Sequence, residues 1–260
     1  MNVRSSLQIY GIPTPVIVPG DSIADIIADS LDRAGIILKD RDVLVLAESA
    51  VATAEGRIVC LEDVCVSPVA GELAKKYLLD PREMELILQE CDEVIGGVPG
   101  AVLTITDGTL SPNAGIDSSN APEGHVVLLP ENPVQSASKI RLVLEKRYSC
   151  KIGVIIGDSR TQPLRLGCVG IALATSGINP VEDARGACDL YNKPLTITHR
   201  AVADNMVSCA QLIMGEAGEG IPGVIIRGFN GDIVDEPIEM PLFSPDECMY
   251  YSNISRTGLK

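Results

Sequence analysis

Residues 152–174, IGVIIGDSRTQPLRLGCVGIALA, hold the pattern that decides the fold class. Residues 152–156, mostly β-branched, read as a strand leading into Asp158, and residues 168–174 read as a second strand. Further on, residues 195–198 read as a short strand, 200–214 as a helix and 224–227 as a closing strand. Upstream, residues 133–148 carry Ala137, Ile140, Leu142 and Leu144 amid charged positions, which predicts a helix. Residues 42–48, 101–106 and 125–129 read as strands. Residues 80–94 predict a helix opened by Asp80 and Pro81, with Met84, Ile87, Leu88 and Cys91 at helical spacing. Residues 21–34 place Ile23, Ile26, Ile27 and Leu31 on one helical face, with Asp21 or Ser22 as the cap. Strands and helices in this mixed order predict an α+β or mixed α/β fold, not a regular doubly wound sheet. No repeat or low-complexity linker marks a boundary, so residues 1–260 read as one span. The last 25 residues, rich in proline and acids, are expected to cover surface.

Of the 260 residues 46% are hydrophobic and only 3% aromatic, with no Trp, so the core is expected to be aliphatic. The formal charge of −14 argues against a nucleic-acid backbone or an anionic membrane as partner. An acidic protein can still hold a phosphate-rich ligand if divalent cations bridge the like charges. Eight cysteines include no CxxC pair, which disfavours a zinc knuckle or a thioredoxin-type site. Cys168 and Cys209 lie in apolar runs and are expected to be buried, inert thiols. Two histidines make a histidine-based metal site improbable. No basic start precedes an apolar run, and no stretch reaches the ~18 apolar residues of a membrane span. The expected location is the cytoplasm.

Three acidic segments could carry chemistry. The first, residues 112–120 (PNAGIDSSN), offers Asn113, Asp117 and Asn120, which make turns and also supply hard oxygen ligands. The second, residues 157–159 (GDS), places a carboxylate at a strand's carboxyl end, where ligand sites of α/β proteins gather. The third, residues 214–223 (MGEAGEGIPG), has four glycines that let backbone N–H groups approach a ligand, with Glu216 and Glu219 as carboxylates. Singly, each has a plainer reading: a turn, a cap residue and a helix C-cap. Together, with no histidine or CxxC alternative, they point to an oxygen-ligand site for magnesium or manganese. The phosphate-loop pattern GxxxxGK[ST] is absent.

In this order, NAGIDSSN, then a strand ending in an Asp-hydroxyl pair, then LIMGEAGEGIPGVIIRG resemble the coenzyme F420-0 gamma-glutamyl ligase family. The 41 positions from Asp117 to Asp158, the AEGR of residues 54–57 and the GIP of residues 11–13 agree with that pattern, over about residues 8–230. The resemblance implies an extended mixed α/β subunit paired as a homodimer. It also implies GTP as co-substrate, two divalent cations (Mg or Mn), an acid acceptor and L-glutamate. In that reaction the γ-phosphate activates a carboxylate of the deazaflavin precursor, and the amine of glutamate attacks the acyl phosphate. Carried over, Asp117 and Asp158 would ligate one metal, with Ser159 and Glu216 near the second. Ile12, Pro13, Ser49, Asn120 and the loop Met214, Gly215, Glu216, Ala217, Gly218, Glu219, Gly220 and Ile221 would face the nucleotide. No protein nucleophile is assigned, because phosphoryl transfer needs charge neutralisation and positioning instead. The chain departs from the family pattern at Thr53 (a lysine there), Glu48 (a hydroxyl residue) and Ser159 (a threonine). Those departures leave open a divergent paralogue acting on another acid, or a non-catalytic nucleotide- or metabolite-binding protein.

Overall fold

The computed structural model describes residues 6–235 and 238–253. The chain forms two compact units, one running to residue 56 and resuming over 130–241, the other made of 57–129 with residues from 242 on. The first unit begins with β1 (Gln8–Ile12), α1 (Ile23–Ala34), β2 (Val43–Ala47) and α2 (Glu48–Ala54). The second holds β3 (Ile58–Cys60), α3 (Pro68–Tyr77), α4 (Pro81–Glu90), β4 (Glu93–Val98), β5 (Ala101–Thr106), β6 (Thr109–Pro112) and β7 (His125–Val127). The chain then returns to the first unit with α5 (Pro133–Tyr148), β8 (Gly153–Thr161) and β9 (Cys168–Ser176). Last come β10 (Val181–Asp183), β11 (His199–Ala201), α6 (Val202–Met214) and β12 (Gly223–Arg227).

The first unit is built on a five-stranded sheet of order β1-β12-β2-β8-β9. Strands β2 and β8 are parallel and the other pairs antiparallel. Alternation along β8 sends Val154 and Ile156 to one face, where they pack with Ile27 and Leu31 of α1 and Leu144 of α5. Ile155 goes to the other face, with Met206 and Val207 of α6. Each such side chain contributes about 1.5–3 kcal/mol when fully buried. With both faces covered, the central strands read as continuous apolar runs instead of alternating ones. That is why residues 43–46 and 152–156 were legible as strands.

In the second unit β4, β5 and β6 form an antiparallel meander. Leu73 of α3 and Met84 and Ile87 of α4 share a core with Val94 and Val102 of that sheet. The β3–β7 pair contributes Val126 to a smaller cluster with Leu61, Leu86 and Leu128.

The α+β expectation holds, with local corrections. Helix α5 has the expected bounds, and α1 is capped by Ser22, whose side chain accepts from the Asp25 N–H at 3.3 Å. Helix α4 is capped by Asp80 as expected but stops at Glu90, and residues 93–94 belong to β4. There Val94 and Ile95 favour strand, and Gly97 is close enough to β5 that a Cβ would lie 2.6 Å from the Ala101 carbonyl oxygen. No strand forms at 195–198; the pairing strand is β11, just after it. Strand β8 runs on through Asp158 to Thr161, so Asp158 is inside the strand and not beyond it. Helices α2 and α3 and strands β1, β3, β4, β6 and β10 were not foreseen. Cys168 is exposed, because it opens the edge strand β9, and Cys209 is half-buried. All eight cysteines are free thiols. Of the last 25 residues, those described are mostly exposed, although Tyr251 is buried.

Candidate functional site

The ladder of the five-stranded sheet puts most of the foreseen nucleotide residues at one end of it. Ile12 at the close of β1 pairs with Gly223, Gly223 pairs with Leu46, and the next residue of β2, Ala47, pairs with Gly157 of β8. The residues that follow these pairs therefore emerge together: Pro13 after β1, Ser49 in the first turn of α2, and Asp158 and Ser159 on β8. The loop before β12 joins them. Its Gly220 carbonyl accepts from the Thr14 N–H at 3.1 Å, and the Pro222 carbonyl accepts from the Ala47 N–H at 2.9 Å. Gly11 allows this approach, since a Cβ there would stand 2.7 Å from Ile213 Cγ2 and 3.0 Å from Ile221 Cγ2. This is the carboxyl end of the parallel pair β2 and β8, the usual place for a ligand on an open sheet.

Strand β8 outlasts β2, whose pairing ends at Gly157, and continues against β9 alone. A bulge falls at this point: Ile156 opposes Ala174 while Gly157 opposes Ala172. Bulges bend a strand and re-aim its side chains. Beyond it, Asp158 and Arg160 lie two residues apart on one face, and Arg160 Nε donates to Asp158 Oδ2 at 2.9 Å. Their side chains are 9% and 6% exposed, so the carboxylate is buried against a guanidinium. Ser159 alternates to the exposed side. Arg160 is the member of this pair that sequence reasoning did not assign to the metal site. Its i, i+2 spacing from Asp158 on a strand was the available signal.

The glycine loop begins as a helix C-cap. Gly215 has φ +73° and its N–H returns to the Gln211 carbonyl at 2.9 Å. Glu216 accepts from the Gln211 side-chain amide. Glu219 folds back, its Oε2 accepting from the Ala217 N–H at 2.8 Å, and its carboxyl occupies the space a Cβ on Gly215 would need. A Cβ on Gly218 would meet nothing within 4 Å. The loop thus closes on its own acids, and its backbone N–H at Ala217 already holds a carboxylate.

Asp117 and Asn120 belong to the second unit. Asp117 bridges Val127 through its backbone at 2.9 and 2.8 Å, while its Oδ1 accepts from the N–H and hydroxyl of Ser119 at 2.8 and 2.7 Å. This is an Asx turn, so one carboxylate oxygen serves the loop itself. Asn120 is exposed, with φ +54°. Arg57 donates to Glu90 Oε2 at 2.6 Å and to the Leu129 carbonyl at 3.0 Å, a structural partnership within that unit.

Among the described residues no group of three or more His, Cys, Asp or Glu side chains gathers to hold a metal ion. Magnesium is ordinarily held by one or two carboxylates with substrate phosphates and water completing its shell, so it does not require such a group.

A match to the family described as F420-0:Gamma-glutamyl ligase covers residues 11–228. The chain belongs to this family. The coenzyme F420:L-glutamate ligase of Methanopyrus kandleri is 40% identical over 216 residues, 83% of this chain and 84% of that protein. The enzyme of the same description from Methanothermobacter thermautotrophicus is 40% identical over 235 residues, 90% and 93% of the two chains. That from Methanocaldococcus jannaschii is 38% identical over 230 residues, 87% and 90%. The family match spans the end of β1, the Asp117 segment, β8 and the glycine loop together. Within this gamma-glutamyl ligase family member, no described helix is long and apolar enough to cross a membrane.

Proposed function

We propose that this chain adds L-glutamate to a carboxylate of the F420 precursor in the cytoplasm, using GTP and divalent cations and passing through an acyl phosphate. At the coarser level the chain is an enzyme of the ligase class, since its relatives over most of their length are named as glutamate-adding ligases. The observation that carries the finer reading is the gathering of Ile12, Pro13, Ser49, Asp158 and the loop 214–221 at one end of the first unit's sheet.

In this reading an acceptor carboxylate oxygen attacks the γ-phosphorus and the bond to the β–γ bridging oxygen breaks, releasing GDP. The amine of glutamate then attacks the acyl carbon, phosphate leaves, and the amine gives up a proton as the amide forms. Asp117 and Asp158 would each supply a carboxylate to divalent cations, with Ser159 and Glu216 as further oxygen donors. Magnesium or manganese held there would neutralise the polyphosphate and the charge of the transferring phosphoryl group. Loop 214–221 would turn its backbone N–H groups to phosphate, with Glu219 swinging away from Ala217.

Thr53 supplies the test. It stands where the family pattern has lysine, and Arg57 is committed to Glu90. A cation beside phosphate in a partly dry cleft is worth about 1.5–3 kcal/mol, or roughly ten- to hundredfold in affinity. Titration calorimetry with magnesium is expected to show GTP binding that tightens by that factor in Thr53→Lys. No binding by either protein would retire the GTP reading.

The homodimer is proposed on a separate observation. Leu164 and Leu166, between β8 and β9, and Leu190 and Tyr191, between β10 and β11, are almost wholly exposed. A charge of −14 opposes self-association, so apolar contact of this kind is what would drive it. Sedimentation equilibrium is expected to give twice the 27.5 kDa chain mass, falling to one chain in Leu164→Asp with Leu166→Asp. A monomer in the unaltered protein would overturn it.

A further inference from the structure

Strand β9 is the edge of the five-stranded sheet, and α6 lies over the place where it meets Asp158. Two side chains one helical turn apart on α6 reach its backbone. Asp204 Oδ1 accepts from the Ala172 N–H at 2.9 Å, and Ser208 Oγ donates to the Gly170 carbonyl at 2.9 Å. The two anchored residues flank Ile171, the register partner of Asp158, and Ala172 adjoins the bulge. Helix and strands are in close contact here: a Cβ on Gly157 would stand 2.3 Å, and one on Gly170 2.6 Å, from Val207 Cγ1. Val207 is held between Asp204 and Ser208 in sequence, so the helix has no slack at this point. Burial pushes the Asp204 carboxyl up, with the Ala172 hydrogen bond and the nearby positive charge of Arg160 acting the other way. A half-buried acid close to Arg160 and bonded to the strand opposite Asp158 has more to do than close a helix turn.

We infer that Asp204 is a positioning residue for the Asp158–Arg160 pair, pinning β9 at Ala172 so that the bulge keeps Asp158 turned to Arg160 in its buried place. This goes beyond the family reaction and, for its consequence on metal binding, rests on the reading of Asp158 as a metal ligand. Asp204 acts through a hydrogen bond that any side-chain carbonyl oxygen can accept, so asparagine should replace it and alanine should not.

The Arg160 Nε–H, buried and donating to Asp158, gives the direct readout in proton–nitrogen spectra of the full chain. In the unaltered protein and in Asp204→Asn it is expected to be protected from exchange at the same shift. In Asp204→Ala it is expected to move and exchange faster, and Mn²⁺ affinity to fall by about ten- to hundredfold, as for loss of an outer partner of a metal ligand. An unchanged Arg160 signal in Asp204→Ala overturns the inference, as does an Asp204→Asn signal displaced like that of alanine. A purely structural role would lower the melting temperature without moving that signal. If Asp204→Ala does not fold, the asparagine variant decides. Asp158→Asn separates the two readings: unchanged Mn²⁺ affinity there retires the metal assignment, while the Arg160 signal still judges Asp204.

Discussion

Asp158→Asn is expected to reduce glutamate ligation by roughly a hundredfold or more, the scale on which one electrostatic stabiliser of a transition state is lost. It is also expected to weaken Mn²⁺ binding measured by paramagnetic resonance. The change also bears on the fold, because Asp158 is buried against Arg160. Removing one partner of a buried pair takes from the other charge its directly bonded counterion and costs about 3–5 kcal/mol. The chemical and structural losses can be separated. Replacing both partners by apolar groups of similar size, Asp158→Leu with Arg160→Met, is expected to recover most of the stability and none of the ligation. Denaturant titration beside a ligation assay checks both. Turnover and Mn²⁺ affinity unchanged in a folded Asp158→Asn protein would sink the assignment.

Gly157→Ala is expected to have the next largest effect, through packing alone. The added methyl would lie 2.3 and 2.8 Å from the two Val207 methyls, so either α6 shifts or β8 does. Inserting a methyl into a well-packed core of this kind costs about 1–3 kcal/mol. Since Asp158 is the next residue, a shift of β8 should also lower ligation. Val207→Ala in the same chain makes room and is expected to restore part of both. The paired thermal melts are the measurement; a Gly157→Ala protein that melts with the unaltered one would show that α6 does not press on this strand.

Parts of this molecule are written in local pattern. Helices α1 and α5 were legible because their apolar spacing, and in α1 the cap Ser22, act within a few residues of the helix itself. Strands β2 and β12 were legible because burial on both faces leaves a continuous aliphatic run. The reading failed where a local signal met a distant partner. Gly157, Asp158 and Ser159 read as lying beyond a strand's end, yet they extend the strand, because β9 pairs across the bulge and α6 covers the pair. Residues 93–94 continue a helical spacing, yet they pair with β5. Arg57, within the AEGR pattern, is taken by Glu90, 33 positions away.

By itself, then, the sequence determined the α+β class, the aliphatic core, the acidic character, and the motif order that resembles the gamma-glutamyl ligases. These follow from composition and from patterns a few residues long. The division into two units, the first assembled from stretches on both sides of residues 57–129, was decided only by tertiary structure. So was the meeting of Pro13, Ser49, Asp158 and the loop 214–221 at one sheet end. That meeting depends on the register between β1, β12, β2 and β8, strands up to about two hundred positions apart, and no short-range periodicity records which rungs of a ladder coincide.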